Sequence, residues 1–262
     1  MILAPAPEFL DAALVHARAA ADAAEAVIAR TYQKHIRVET KADQSPVTEA
    51  DRECEREIKR VLQAAFPEHG YYGEEYGRER EQGDYLWLID PIDGTKSFVR
   101  GYPMFSTQIG LMHRGELVLG VSSARQFGET AWARKEGGAF LDGQPVRVGE
   151  VHEIERASIS FGNLKTLASD ERWLKLARLV RHSWKTRGYG DFYHYHLLAR
   201  GAVDAVIESD VNILDIAPLV VLVREAGGVF TDLEGRPPGL ETTSVLAATP
   251  ALHEILLSEL ND

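Results

Sequence analysis

At 262 residues the chain can form one large domain or two packed halves, and 45% hydrophobic with 26% charged residues is a globular composition. A formal net charge of −11 argues against nucleic acid as a partner, and no apolar run approaches the roughly 18 residues of a membrane span. Cys54 is the sole cysteine, which excludes an internal disulfide and a cysteine-based zinc cluster. The first residues carry Glu8 and Asp11 without a basic stretch, so a cytoplasmic location is the expectation. Such acidity hinders any anionic substrate unless a bound cation offsets it locally.

Residues 8–32 repeat Leu10, Leu14, Ala17, Ala21, Ala24 and Ile28 at three- and four-residue steps, which predicts an amphipathic helix. Ile36, Val38 and Thr40 alternate like a short strand, and residues 41–47 read as a polar loop broken by Pro46. A second helix is expected from Thr48, because Thr48 and Asp51 have the spacing of an N-cap pair. On that pattern alone Asp51 is a structural residue. Cys54, on the apolar face with Ala50, Ile58 and Leu62, reads as core packing.

Tyr71 to Gly73 lead into Glu74 and Glu75. Residues 85–89, YLWLI, are the near-continuous apolar run of a strand buried on both faces. The run stops at Asp90, where Pro91 lacks an amide hydrogen, so the chain is expected to leave the sheet there. Asp93 follows, then Gly94 for a tight turn, and Thr95 to Phe98 as the start of a helical turn. Two carboxylates beside free amides at a strand's carboxyl end suit a divalent cation plus phosphate; the alternative is an Asp-Gly turn that the acids merely cap.

Residues 105–112 and 117–123 suggest a hairpin, 130–134 a further strand, and 137–146 a turn-rich stretch. The polar run 150–156 is taken as a boundary. It separates an N-terminal α+β half (1–150), carrying the metal and phosphate motif, from a C-terminal α/β half (151–262) that completes the site. Beyond it, strands are expected at 157–161, 203–208, 229–231 and 245–248. Helices are expected at 171–181, after the RGYGDF turn at 187–192, from Asp215, and after Thr249-Pro250. Strands separated by helices imply a layered α/β architecture.

Glu74, Asp90, Asp93 and Asp215 have no histidine or cysteine nearby in sequence, and all-oxygen ligation points to Mg²⁺, Mn²⁺ or Ca²⁺ rather than zinc. Such ions could hold a phosphate, acidify a water and stabilise the leaving oxygen. A phosphoaspartyl enzyme is the competing chemistry, but its D-x-D-G-T string sits near the N-terminus. Here the spacing is D-x-x-D-G-T about a third of the way along, which favours metal-activated water.

The string WLIDPIDGTKSF at 87–98, with GEE at 73–75, SPVTEAD at 45–51 and LDIAPL before EAGG at 225–228, resembles the inositol monophosphatase superfamily. The resemblance covers nearly the whole chain. It implies an α-β-α-β-α sandwich like that of inositol monophosphatase and fructose-1,6-bisphosphatase, and a phosphomonoesterase using two or three Mg²⁺ ions, with Mn²⁺ as a substitute. By position it implies that Glu74, Asp90, the Ile92 carbonyl, Asp93 and Asp215 hold metal. It further implies that Asp51 and Thr95, with Glu74, activate the water, that Asp93, Gly94 and Thr95 contact the phosphate, and that Glu208 meets the substrate alcohol. Homodimers are usual in the families it resembles.

Ser97, Leu214 and GYGDFYHY at 188–195 depart from inositol-specific members. GTKSF and GDFYHY are instead similar to the histidinol-phosphatase branch. L-Histidinol phosphate carries an ammonium and an imidazole, which Asp191 and Glu208 could recognise by charge-assisted hydrogen bonds; otherwise Asp191 caps the helix that follows. Lys96 and Lys41 could neutralise phosphate but read first as solvated, and His194 and His196 as packing or pocket lining rather than a metal pair. The resulting expectation is an L-histidinol-phosphate phosphatase. An inositol-1-phosphatase, or a broad sugar or nucleotide phosphatase, is the nearest alternative, and a non-catalytic binding protein on the same fold is the alternative of another class.

Overall fold

A computed structural model describes residues 5–33, 38–40, 46–79, 83–169 and 171–261, so Ile36 and Lys41 lie outside the described residues. Helix α1 (Pro7–Thr31) packs along α2 (Glu49–Ala65), and the alanines at 13, 17, 20, 21 and 24 let the two axes approach closely. Between them, β1 (Val38–Thr40) and β2 (Pro46–Thr48) form a small antiparallel pair. Cys54 is fully buried on the α1-facing side of α2, where burial raises its thiol pKa, so it is a packing residue.

Eight strands then build a mixed sheet. In chain order they are β3 (Gly70–Gly73), β4 (Gly77–Glu79), β5 (Tyr85–Asp93), β6 (Ser106–His113), β7 (Glu116–Ala124), β8 (Glu129–Arg134), β9 (Gly138–Leu141) and β10 (Gln144–Val146). Their spatial order is β10-β9-β8-β7-β6-β5-β3-β4, antiparallel except where β3 and β5 run side by side. The short helix α3 (Thr95–Val99) follows β5.

The rest of the chain supplies β11 (Ser158–Phe161), α4 (Leu164–Leu167), α5 (Trp173–His182), β12 (Lys185–Arg187), α6 (Asp191–Ala199), β13 (Ala205–Ser209), α7 (Ile213–Glu225), β14 (Val229–Thr231), β15 (Ser244–Ala248) and α8 (Pro250–Asn261). The second sheet has the order β12-β11-β13-β15-β14. Three apolar clusters, one of which fills both sides of the α6–α7 layer, hold five layers together: α1 and α2, the large sheet, α6 and α7, the small sheet, then α5 and α8. This is the expected α-β-α-β-α sandwich. Each sheet buries both faces, which explains why their strands read as apolar runs instead of clean alternations. No helix of the described residues is long and apolar enough to cross a membrane.

Two expectations need correction. Pro91 does not end the strand: β5 resumes at Asp93, opposite Ser106, after a register shift that sets Pro91 and Ile92 against Thr107 alone. The bulge accommodates the missing amide, and Thr107 Oγ1 donates to the Pro91 carbonyl at 2.9 Å. The stretch 137–146 is likewise more than turns, because β9 and β10 pair as a hairpin through Asp142 and Gly143, both at positive φ.

Helix α7 comes from the second half of the chain yet lies on the large sheet. It can do so because Gly110 and Gly120 face each other across β6 and β7 beneath Ala217 and Pro218. A Cβ at Gly120 would sit 2.4 Å from Pro218 Cα, a backbone atom that cannot swing aside. Gly120→Ala is therefore expected to destabilise the fold by about 3 kcal/mol, the upper end of overpacking costs. A thermal midpoint within a degree or so of the unmodified chain would show that α7 yields easily.

Candidate metal and phosphate site

Each acidic residue of the cleft is placed by a different local device. In a regular strand, residues three apart point to opposite faces, so Asp90 and Asp93 should diverge. The bulge at Pro91 and Ile92 inserts the extra residue that brings both to one side. Asp90 Oδ1 accepts the Ile92 amide at 3.0 Å, and Asp93 Oδ2 lies 3.4 Å from both Ser106 Oγ and Gln108 Nε2. Glu74 follows β3, whose last paired residues, Gly73 and Ile89, set it beside Asp90; its amide donates to the Ile89 carbonyl at 3.1 Å.

Asp51 and Asp215 come from matching helix starts. Thr48 caps α2 while Asp51 Oδ2 accepts the Thr48 amide at 2.8 Å and the Thr48 hydroxyl at 2.6 Å. Asn212 caps α7 while Asp215 accepts the Asn212 amide at 2.9 Å and its side-chain amide at 2.7 Å. Both are capping boxes in which the third helical residue is aspartate. The α7 helix thus starts at Ile213, two residues before Asp215.

Carboxylate oxygens of Asp90, Asp93 and Asp215 lie within 4.8 Å of one another. Asp90 is repelled by the charges of Glu74, Asp93 and Asp215 together. None of the three aspartates forms an ion pair with a basic side chain among the described residues. Desolvation, then repulsion from the other acids, raises Asp90 and Asp93 well above the usual carboxylate range. Desolvation also pushes Asp215 up to about 7. Clustered oxygen donors, with Asp90 buried and Asp93 and Asp215 half-buried, and with no paired basic side chain among the described residues, are a donor set that fits a hard divalent cation.

Asp51 is fully buried and its pKa is raised, mainly by desolvation, against the pull of its bonds to Thr48. Its second oxygen, Oδ1, lies 3.3 Å from Thr95 Oγ1, which is also 3.1 Å from the Ile92 carbonyl. Gly94, at φ 91°, makes the turn into α3; a Cβ there would lie 2.7 Å from the Met104 carbonyl. The first amides of α3, at Thr95 and Lys96, have no intrahelical acceptor and open onto a cleft of about 330 Å³. Glu74, Lys96, Arg100, Asn163 and Asp191 line the same cleft.

Asp191 begins α6 at φ 46°, after Gly190 as N-cap, and its carboxylate makes no hydrogen bond to any described residue. The capping alternative is therefore not what the structure shows. Asp191 is open to solvent on the cleft wall, yet desolvation by its surroundings and repulsion from Glu208 push it up to about 6. Glu208, on β13, is buried, and Asp93 and Asp215 both feel its charge. The expected site residues thus come from six stretches of chain.

Several contributors were not legible beforehand. His194 and Tyr195 reach Glu208 at 3.1 and 2.6 Å. Beneath the Gly73–Glu75 turn, fully buried Glu55 accepts the Glu75 amide at 2.7 Å and pairs with Lys59 at 2.8 Å. A Cβ at Gly73 would collide with that carboxylate. His196 is held by Glu129 and Ser122, remote from the cleft, as a packing residue.

A profile described as the inositol monophosphatase family matches residues 10–262. A Streptomyces coelicolor protein named histidinol-phosphatase is 38% identical over 265 aligned residues, 97% of this chain and 98% of that one. A Mycobacterium tuberculosis protein of the same name is 41% identical over 234 residues, 86% and 88% of the two chains. Among solved structures, the extragenic suppressor protein suhB of Bartonella henselae superposes with a TM-score of 0.87 at 28% identity, over 96% of this chain and 99% of that one.

Proposed function

Because the chain belongs to the inositol monophosphatase family, we propose that it is a Mg²⁺-dependent phosphomonoesterase that hydrolyses L-histidinol phosphate. Glu74, Asp90, Asp93, Asp215 and the Ile92 carbonyl would hold the cation. When bound, such ions neutralise phosphate charge, acidify a water and stabilise the leaving oxygen. Thr95 Oγ1 orients the attacking water, and its proton passes to Asp51 Oδ1, whose raised affinity suits a general base. Gly94, the amides of Thr95 and Lys96, and the Lys96 side chain face the phosphate. On this reading residues 1–150 bring most of the hydrolytic groups, and residues 151–262 bring Asp215 and the groups that meet the alcohol.

The observation that supports histidinol phosphate is Asp191. It holds a carboxylate at a backbone conformation that costs an aspartate on the order of 1 kcal/mol, with no donor among the described residues, within reach of the Glu208 charge. An ammonium or imidazolium on the leaving alcohol would bridge these two acids; an inositol ring needs only one of them.

The test is kcat/KM for L-histidinol phosphate, inositol 1-phosphate and 3′-phosphoadenosine 5′-phosphate, with and without Mg²⁺. Histidinol phosphate should lead clearly, and only with the cation. Asp191→Asn should lower kcat/KM for histidinol phosphate about tenfold or more beyond its effect on inositol 1-phosphate, the worth of one charge-assisted hydrogen bond. Equal rates across the panel exclude the substrate, and no turnover of any monoester favours a binding protein.

A further inference from the structure

We infer that His194, Ser160 and Tyr195 are positioning residues that lock Glu208 and the Asp191 turn into one unit facing the leaving alcohol. The inference rests on the reading of Glu208 as the group that meets that alcohol. His194 and Tyr195 are buried neighbours on α6, and both address the same oxygen of Glu208, Oε2, at 3.1 and 2.6 Å. A carboxylate only accepts, so the His194 hydrogen sits on Nε2 and the Tyr195 hydroxyl donates.

On the other side of the ring, Ser160 Oγ lies 3.2 Å from His194 Nδ1 and 3.3 Å from the Tyr189 amide. An amide can only donate, so Ser160 accepts from Tyr189; with the single hydrogen of a neutral imidazole on Nε2, Nδ1 accepts, and the Ser160 hydroxyl hydrogen points to it. The chain of bonds is therefore directional: Tyr189 N–H to Ser160, Ser160 O–H to His194, His194 Nε2–H to Glu208. Tyr189 and Gly190 lead straight into Asp191. One relay fixes both acids of the pair.

The relay consumes Oε2 and leaves Oε1 to the substrate. Gly162 permits this arrangement, since a Cβ there would lie 2.0 Å from Oε1. Two donors on one oxygen also stop the carboxyl from rotating, so Oε1 stays aimed. Loosening the relay should weaken selection of the alcohol more than it slows phosphoryl transfer, because Ser160, His194 and Tyr195 touch neither the aspartate cluster nor Thr95 in any described bond.

The test compares Tyr195→Phe and Ser160→Ala, neither of which changes the ring or strand framework, on L-histidinol phosphate and on p-nitrophenyl phosphate, whose leaving group has no polar head. In both variants KM for histidinol phosphate should rise about tenfold more than KM for p-nitrophenyl phosphate, the range for one hydrogen bond to a charged group, with the effect in KM rather than kcat. Nitrogen-detected NMR of the unmodified protein should show a protected His194 Nε2 hydrogen that Ser160→Ala exposes to exchange. Equal losses on the two esters, or an Nε2 hydrogen unaffected by Ser160→Ala, overturn the relay. If the unmodified enzyme prefers inositol 1-phosphate, the histidinol reading fails, and the relay stands only if both variants raise KM for that ester selectively.

Discussion

Asp93→Asn is expected to lower kcat by about a hundredfold or more, because it removes one anionic oxygen from the group that would hold the cation and orient phosphate. The same change should leave the metal-free protein at least as stable as before. Asparagine has the same shape, keeps an oxygen for Ser106 and Gln108, and relieves the repulsion that Asp93 suffers from Asp191 and Asp215. Catalysis and stability thus move in opposite directions, which a merely structural aspartate would not do. Steady-state kinetics in saturating Mg²⁺ and a thermal melt in chelator check the two halves. Turnover within threefold of the unmodified enzyme would remove Asp93 from the chemistry.

The second large effect is a stability that depends jointly on pH and cation. Asp90 and Asp93 are raised well above, and Asp215 to about 7 from, an unfolded value near 4. A raised carboxyl means that the folded chain binds more protons than the unfolded one. Its contribution is present below about pH 4 and is lost as pH climbs through the folded values. Without metal, the thermal midpoint should therefore fall between about pH 5 and pH 8, a loss on the order of a few kcal/mol. Added Mg²⁺ should restore the midpoint at the higher pH and do little at the lower one, since protonated carboxyls are poor ligands. A midpoint in chelator that rises over this interval, or a cation shift equal at both ends, would contradict the cluster's electrostatics.

What the sequence disclosed and what it hid divide by range of interaction. The Thr48–Asp51 cap, the apolar run before Asp90 and the proline-led last helix depend on neighbours within four residues, and each was readable. The resumption of β5 at Asp93 depends on Thr107 and Ser106 across the sheet, so Pro91 read as a stop. The β9–β10 hairpin was masked because its turn residues outnumber its apolar ones. Asp51 looked like a cap and is one; only its approach to Thr95, 44 positions away, gives its other oxygen a use. His194 lost its signal because α6 is buried nearly all round, which blurs any helical stripe. Glu55 under the Gly73 turn belongs to the same class, a buried acid whose partner is a distant amide.

The two capping boxes carry a consequence for breathing motions. Asp51 gives one oxygen and Asp215 both to the start of a helix, so neither α2 nor α7 can unwind its first turn without withdrawing a side chain from the cleft. Terminal fraying, ordinarily a harmless local event, becomes a way of switching the centre off. Occupancy of the cleft should accordingly slow deuterium uptake at the starts of those two helices, far more than at the start of α8, whose proline-led beginning serves no ligand.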